Sequence, residues 1–233
     1  MSIAENLARV RERIAAAARR AGRSPDEIAL MAVTKTFPAE RIREACQAGQ
    51  RLFGENRVQE FAAKFGTLGD LGAEFHMIGH LQSNKAAKAL EVFSAVDSVN
   101  SLHLAERLNA AAAKAGKTVP ILLELNLGGE ESKSGLAPDS PALEELLQAA
   151  AGLENLAFRG LMTIPPFTED PEWARPYFRR LRELRERIAA QCSPRVRMDV
   201  LSIGMSHDFE VAIEEGSTCV RLGTAIFGER EKR

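Results

Sequence analysis

The segment LMAVTKTFPAE (residues 30–40) closes an apolar run with Thr34-Lys35-Thr36 and then turns into a proline-led polar stretch. A lysine amine is ordinarily protonated and unreactive. One that is partly desolvated beside another cation can lose its proton and attack a carbonyl, forming a Schiff base. Further along, IGMSHD (203–208) ends one apolar run, and Arg221 followed by GTAIFG (223–228) ends another. Gly204 with Ser206, and Gly223 with Thr224, combine glycines that let the backbone approach an anion with hydroxyls that donate to it. Either loop alone would simply make a turn, and Lys35 alone would cap a strand and snorkel to water. Both loops together, in this order, form a phosphate site, and a phosphate-bearing aldehyde would use the loops and the lysine at once.

Other polar residues follow apolar runs in the same way: Asn56 in GENR, His80 and Asn84 in GHLQSNK, and Asn126, and a further run ends in MTIPP. His207 joins His80 near the ends of runs. His76 lies inside an apolar run, as a satisfied core group would, and His103 lies on an exposed helix face. No H-E-x-x-H or comparable spacing is present, so no metal site is assigned. Neither a Walker phosphate loop nor a GxGxxG fingerprint occurs.

These residues need elements to hold them. Eight apolar runs, 28–35, 51–55, 75–79, 93–99, 119–127, 157–164, 198–204 and 218–228, alternate with stretches whose apolar residues recur three and four apart. Eight such alternations predict one (β/α)8 TIM-type barrel spanning residues 1–233 as a single domain, with an open doubly wound sheet as the alternative. In a barrel of this kind the chemistry sits where strands run out into βα loops, and phosphate sites use the loops after strands seven and eight. Closure of the sheet makes strand one the neighbour of strand eight, which carries Lys35 to that phosphate site. Ahead of the barrel, Ile3, Leu7, Val10 and Ile14 form the apolar stripe of an extra N-terminal helix ending near Gly22, and SPDEI supplies an S-x-x-E box for one short turn.

Composition narrows the class of ligand. Hydrophobic residues make up 45% of 233, enough for a full core, and 31 Lys plus Arg balance 32 Asp plus Glu. Nothing in that balance draws the chain to nucleic acid or an anionic membrane, so a small molecule is the expected partner. In RPYFRRLRELRER, Tyr177, Leu181, Leu184 and Ile188 make an apolar stripe that leaves the arginines solvated. Cys46, Cys192 and Cys219 are few, odd in number and widely spaced, which fits a reducing compartment, and the N-terminus does not resemble a signal peptide. A cytoplasmic protein is expected, and a monomer, since no apolar surface stripe is left over.

AVTKTFPAERIREACQAGQRLFGENRVQE, FHMIGHLQSNK, ESKSGLAP, GLMTIPP and LSIGMSHDFEVAIEEGSTCVRLGTAIFG, in this order and spacing, resemble the pyridoxal phosphate homeostasis protein family, which is similar to the N-terminal barrel of alanine racemase. The resemblance implies that Lys35 carries pyridoxal 5'-phosphate as an internal aldimine. Ser206, Gly223 and Thr224 would hold its phosphate, Arg221 would point at the pyridine nitrogen, and Asn56, His80 and Met205 would line the cofactor. Phe37 stands where some relatives place a second lysine, and Lys133 matches the family. The implied role is to buffer the cofactor or deliver it to pyridoxal phosphate-dependent apoenzymes, without dedicated turnover. The length leaves no room for the β-rich second domain and opposing tyrosine base of alanine racemase. Three other readings stay open: a racemase using Lys35 as its one base, a class I aldolase-like enzyme, and a scaffold binding through its arginine-rich helix.

Overall fold

A computed structural model describes residues 1–130, 134–191 and 195–229. Lys133 and Cys192 fall outside them. Eight parallel strands close a barrel in chain order: β1 Ala29–Val33, β2 Leu52–Glu55, β3 Glu74–Met77, β4 Ala95–Val99, β5 Val119–Leu125, β6 Leu156–Thr163, β7 Val196–Ser202 and β8 Cys219–Leu222. The β1–β8 seam pairs Met31 with Arg221 and Ala32 with Leu222. The (β/α)8 expectation therefore holds, and the open sheet is excluded by this pairing. Successive strand residues alternate between two cores. Outward residues such as Phe53, Ile121, Leu161 and Val220 pack under the helices, whereas Met31, Val33, Ile78 and Cys219 meet inside the bore. At Gly160 in β6 (φ +157°) a Cβ would sit 1.8 Å from the Val200 carbonyl oxygen, so β6 and β7 approach this closely only with glycine there.

Nine α-helices are found among the described residues: α1 Ile3–Arg20, α2 Ala39–Gln47, α3 Val58–Leu68, α4 Ala86–Val92, α5 Leu102–Lys114, α6 Pro141–Ala149, α7 Arg175–Gln191, α8 Phe209–Glu214 and α9 Thr224–Phe227. Seven of them, α2 to α8, follow the first seven strands. The segment after β8 forms only the single turn α9, too short to cover the β8–β1 seam. α1 takes that place, buried through Ile3, Leu7, Val10 and Ile14 and packed against α8, α9 and α2. The side-chain amide of Asn6, buried at this junction, donates to the carbonyl of Ile226 at 2.8 Å. The extra helix is thus the eighth member of the outer ring.

Two sequence expectations need correction. The last apolar run is not one strand to Gly228: pairing stops at Leu222, Gly223 turns the chain, and Thr224–Phe227 is helical. The helix after β7 begins at Phe209; Asp208 stands at its N-cap position, and its carboxylate accepts from the Met205 amide at 2.6 Å rather than from the helix. On α7, Phe178 and not Tyr177 is the first fully buried residue of the stripe, with Tyr177 half-buried beside it.

The arginines of α7 are paired. Arg175, Arg179 and Arg182 converge on the buried Glu215 carboxylate, at 3.2, 2.9 and 3.2 Å, while Arg180 and Arg187 reach Asp139. Burial alone would raise the Glu215 carboxyl, but hydrogen bonds and charge from the three arginines outweigh it and hold it below the ordinary range. A carboxyl depressed on folding stabilises fully above its unfolded value of about 4.3, and that contribution disappears as pH falls through the lower folded value. Glu215→Gln is expected to cost about 1.5–3 kcal/mol at neutral pH, a fall of roughly 3–12 °C in melting temperature. Thermal melts of the two proteins should converge below about pH 4 as wild-type Glu215 protonates.

Candidate functional site at the C-terminal rim

Lys35 lies two residues beyond β1, half-buried, in a turn whose next residue, Thr36, has φ +69°. A β-branched residue rarely adopts this conformation, so contacts outside the turn must hold it. Lys64 of α3 supplies them. Its ammonium donates to the carbonyls of Thr34 (3.1 Å) and Phe37 (3.0 Å), one on each side of Lys35, and pairs with Glu55 at 2.6 Å. Glu55 is fully buried and also accepts from the Thr34 hydroxyl at 2.7 Å. Burial pushes its carboxyl up, and Lys64 and Thr34 draw it only part of the way back.

Phe37 packs against Phe227 of α9, ring centroids 4.9 Å apart, and so ties the lysine turn to the segment after β8. A half-buried phenylalanine loses about half of the 3–5 kcal/mol of a fully buried one. Phe37→Ala is therefore expected to lower stability by about 2 kcal/mol in chemical denaturation. The same change should loosen the rim on the Lys35 side.

The β1–β8 register carries this turn to the phosphate-type loops. A Cβ on Gly223 would lie 3.5 Å from the Val33 carbonyl oxygen, which sets the start of the β8–α9 loop against the end of β1. Ser206 joins the two loops, since its hydroxyl accepts from the Ala225 amide at 3.2 Å. The Arg221 amide donates to Gly204 at 2.9 Å. Met205 and Ser206 are half-buried, and Thr224 is exposed. Asn56 follows β2 directly; its side-chain oxygen is buried without a hydrogen-bond partner. Its backbone packs so tightly on Gly79 that a Cβ there would meet the Asn56 carbonyl oxygen at 2.3 Å. His80 comes next on the rim, exposed, 3.4 Å from the Asn100 amide.

Arg221 stands in the bore below this rim, 4% exposed. Its Nη1 donates to the Ser202 carbonyl (2.6 Å) and hydroxyl (2.8 Å), and its Nη2 to the Thr163 carbonyl (2.8 Å). Burial disfavours its charge, while the negative groups Asp97, Asp208 and Glu124 favour it. Glu124 on β5 is itself buried, with its carboxyl raised by desolvation and drawn back by the Ser134 hydroxyl, 3.0 Å from both oxygens, and by Arg221 and His80. The rim thus runs without a break from Lys35 through β8, the β7 loop, Thr163, Glu124 and His80 to Asn56. Sequence reading missed Glu55, Lys64, Asp97, Glu124 and Ser202. A signal existed for four of them: a charged or polar residue inside an otherwise apolar run needs a buried partner.

His76 and His103 lie off this rim, and His207 Nε2 donates to the Glu169 carbonyl at 2.9 Å. Among the described residues no group of three or more His, Cys, Asp or Glu is placed to hold a metal ion, and no helix is long and apolar enough to cross a membrane.

Fold and rim together define a parallel (β/α)8 barrel with a lysine at the end of its first strand and an anion-type cradle at the end of its last. The alanine racemase N-terminal domain family matches residues 6–231, and the chain belongs to the pyridoxal phosphate homeostasis protein family within it. It is 46% identical over 231 residues to the pyridoxal phosphate homeostasis protein of Aquifex aeolicus, covering 99% of this chain and 100% of the relative. To the Escherichia coli K12 protein of the same name it is 46% identical over 232 residues, covering 98% and 97%. Among solved structures, PipY of Synechococcus elongatus PCC7942 with PLP bound superposes with a TM-score of 0.86 at 39% identity, covering 97% of this chain and 100% of that one. Alanine racemase of Clostridium difficile 630 shares the fold alone, at 14% identity and a TM-score of 0.69, covering 99% of this chain and 57% of that one.

Proposed function

We propose that the chain binds pyridoxal 5'-phosphate at the C-terminal rim, attached reversibly through Lys35, and buffers or delivers it without turning over a dedicated substrate. The observation that carries this reading is the β1–β8 register, which sets the Lys35 turn against the Gly223–Thr224 loop. The relatives' name and the PLP bound to PipY support it. So does the chemistry of the donors: a half-buried amine, the joined Ser206–Ala225 and Gly223–Thr224 backbone, a buried cation in the bore, and an unpartnered Asn56 oxygen.

When bound, pyridoxal 5'-phosphate supplies an aldehyde that condenses reversibly with an amine, and a ring nitrogen whose protonation governs its power as an electron sink. The chain's own residues govern how that aldehyde and that ring are held. Lys64 and Glu55 fix the turn that presents the Lys35 amine. Ser206, Gly223 and Thr224 offer hydroxyls and amides to the phosphate. Arg221 would keep a proton off a ring nitrogen placed against it, where an aspartate would hold one on. Asn56, His80 and Met205 would line the ring. That setting suits storage better than carbanion chemistry, and the only tyrosine, Tyr177, sits on α7 in the outer layer, away from any proton transfer at the rim.

A visible absorption spectrum before and after borohydride, with peptide mapping, tests the proposal. A yellow protein whose reduced adduct maps to Lys35 is the expected result. A colourless protein that the cofactor cannot colour would sink it in favour of the aldolase-like reading, and steady racemisation of an amino acid at enzymatic rates would sink the absence of turnover.

A further inference from the structure

The opposite end of the barrel holds a second chamber. The cluster Met31, Val33, Ile78 and Cys219 fills the middle of the bore. Below it a cavity of about 510 Å³ opens at the strand starts, within the usual size of small-molecule sites. Most of its lining is apolar, including Met31, Leu52, Ala95, Pro120, Leu122 and Val200.

Its polar groups are unequal. The Ser94 hydroxyl donates to the Phe75 carbonyl, the Thr218 hydroxyl accepts from the Leu201 amide, and Asp97 holds His76 Nδ1 at 3.2 Å from both oxygens. These are already satisfied within the protein. One nitrogen is not, and a second is only loosely ion-paired. Arg159 Nε is buried without a hydrogen-bond partner, its guanidinium reaching Asp199 only through Nη2 at 3.3 Å. His76 Nε2 has Glu74 at 3.8 Å, beyond hydrogen-bond distance, on a side chain that is mostly exposed at the mouth. Asp199 is shared with Arg197. The donor capacity left in the chamber is therefore that of Arg159 Nε, with His76 Nε2 beside it only loosely paired, above an apolar interior.

We propose that this chamber is a second ligand site, for a small apolar molecule bearing one carboxylate, held head-out between His76 and Arg159 with its hydrocarbon part against Leu52, Leu122 and Val200. An unsatisfied buried donor in a native fold calls for a partner, and a carboxylate oxygen is the acceptor that suits two cations. The site owes nothing to the pyridoxal phosphate reading, since the mid-barrel cluster separates it from the rim.

Calorimetric titration of the full chain with 4-methylpentanoate, and with 4-methylpentan-1-ol of the same carbon skeleton, tests it. The expected result is saturable one-to-one binding of the acid, about tenfold or more tighter than the alcohol, as one charged hydrogen bond requires. Arg159→Gln should weaken the acid about tenfold. Ala29→Phe, at an exposed position on the chamber mouth, should abolish it without a change in thermal stability. Four outcomes would overturn the proposal: no saturable binding, equal binding of acid and alcohol, binding unaffected by Ala29→Phe, or displacement of the acid by added pyridoxal 5'-phosphate. The last would place the acid at the rim and leave the cofactor reading intact.

Discussion

Lys35→Ala is expected to remove the borohydride-fixable adduct and to weaken retention of pyridoxal 5'-phosphate by on the order of 100-fold, because an amine held in the site acts at an effective concentration far above that of any free amine. The variant should still fold. Lys64 and Phe37 brace the turn on either side of Lys35 and keep their contacts in the variant. Lys35 is half-buried, so the change should cost about 1 kcal/mol, the centre of measured substitutions, or roughly 2–4 °C in melting temperature. Gel filtration after incubation with cofactor, followed by reduction and peptide mapping, reads the outcome. An adduct appearing on Lys64 or another lysine would show only that free amines trap the aldehyde; an undiminished adduct at the rim itself would refute the assignment.

Arg221→Met should be the most damaging single change to the fold. It strips the donors from the carbonyls of Ser202 and Thr163 and leaves Asp97 and Glu124 facing a neutral side chain in the bore. Removing one partner from a buried charged network costs about 3–5 kcal/mol, which for a chain of this length is roughly 6–20 °C in melting temperature. Arg221→Lys should recover little, because a single ammonium cannot reach Ser202 and Thr163 together as the planar guanidinium does. Loss of stability below 1 kcal/mol in denaturant melts of Arg221→Met would mean that the bore relaxes around the change, contrary to the packing described.

The barrel was legible because parallel strands buried on both faces read as continuous apolar runs, and eight of them alternating with helical stretches admit few architectures. Where a run continued past its strand, as at TCVRLGTAIFG, composition could not show that Gly223 ends the pairing, since Ala225, Ile226 and Phe227 are as apolar in a helix as in a strand. Lys35, Asn56, His80, Ser206, Gly223 and Thr224 could be picked out at the ends of apolar runs and Arg221 within the last of them, while Met205 came only from the family resemblance; the structure sets Arg221 in the bore and the others along one rim above it. What they bind is a proposal from the relatives and the donor chemistry. The supporting layer showed itself only as polar residues inside apolar runs, and its partners were not legible for a geometric reason. Glu124, Asp97 and Glu55 meet their partners across the bore or under a loop, and which side of a strand faces inward depends on closure of the whole sheet. Tyr177 and Phe178 were exchanged because a one-residue rotation of a helical stripe changes the pattern very little.

The position of α1 in the helix ring has a consequence for the order of folding. Its contact with Ile226 spans 220 residues of chain. At synthesis rates of 5–20 residues per second, the stripe of Ile3, Leu7, Val10 and Ile14 leaves the ribosome roughly 10–45 s before the seam that will cover it exists. The ring can close only once β8 and α9 have been made, and until then the nascent chain carries an unsheltered amphipathic helix and an unpaired β1 edge beside it. The long-range docking of α1 onto the β8–α9 segment is therefore expected to be the slowest folding step.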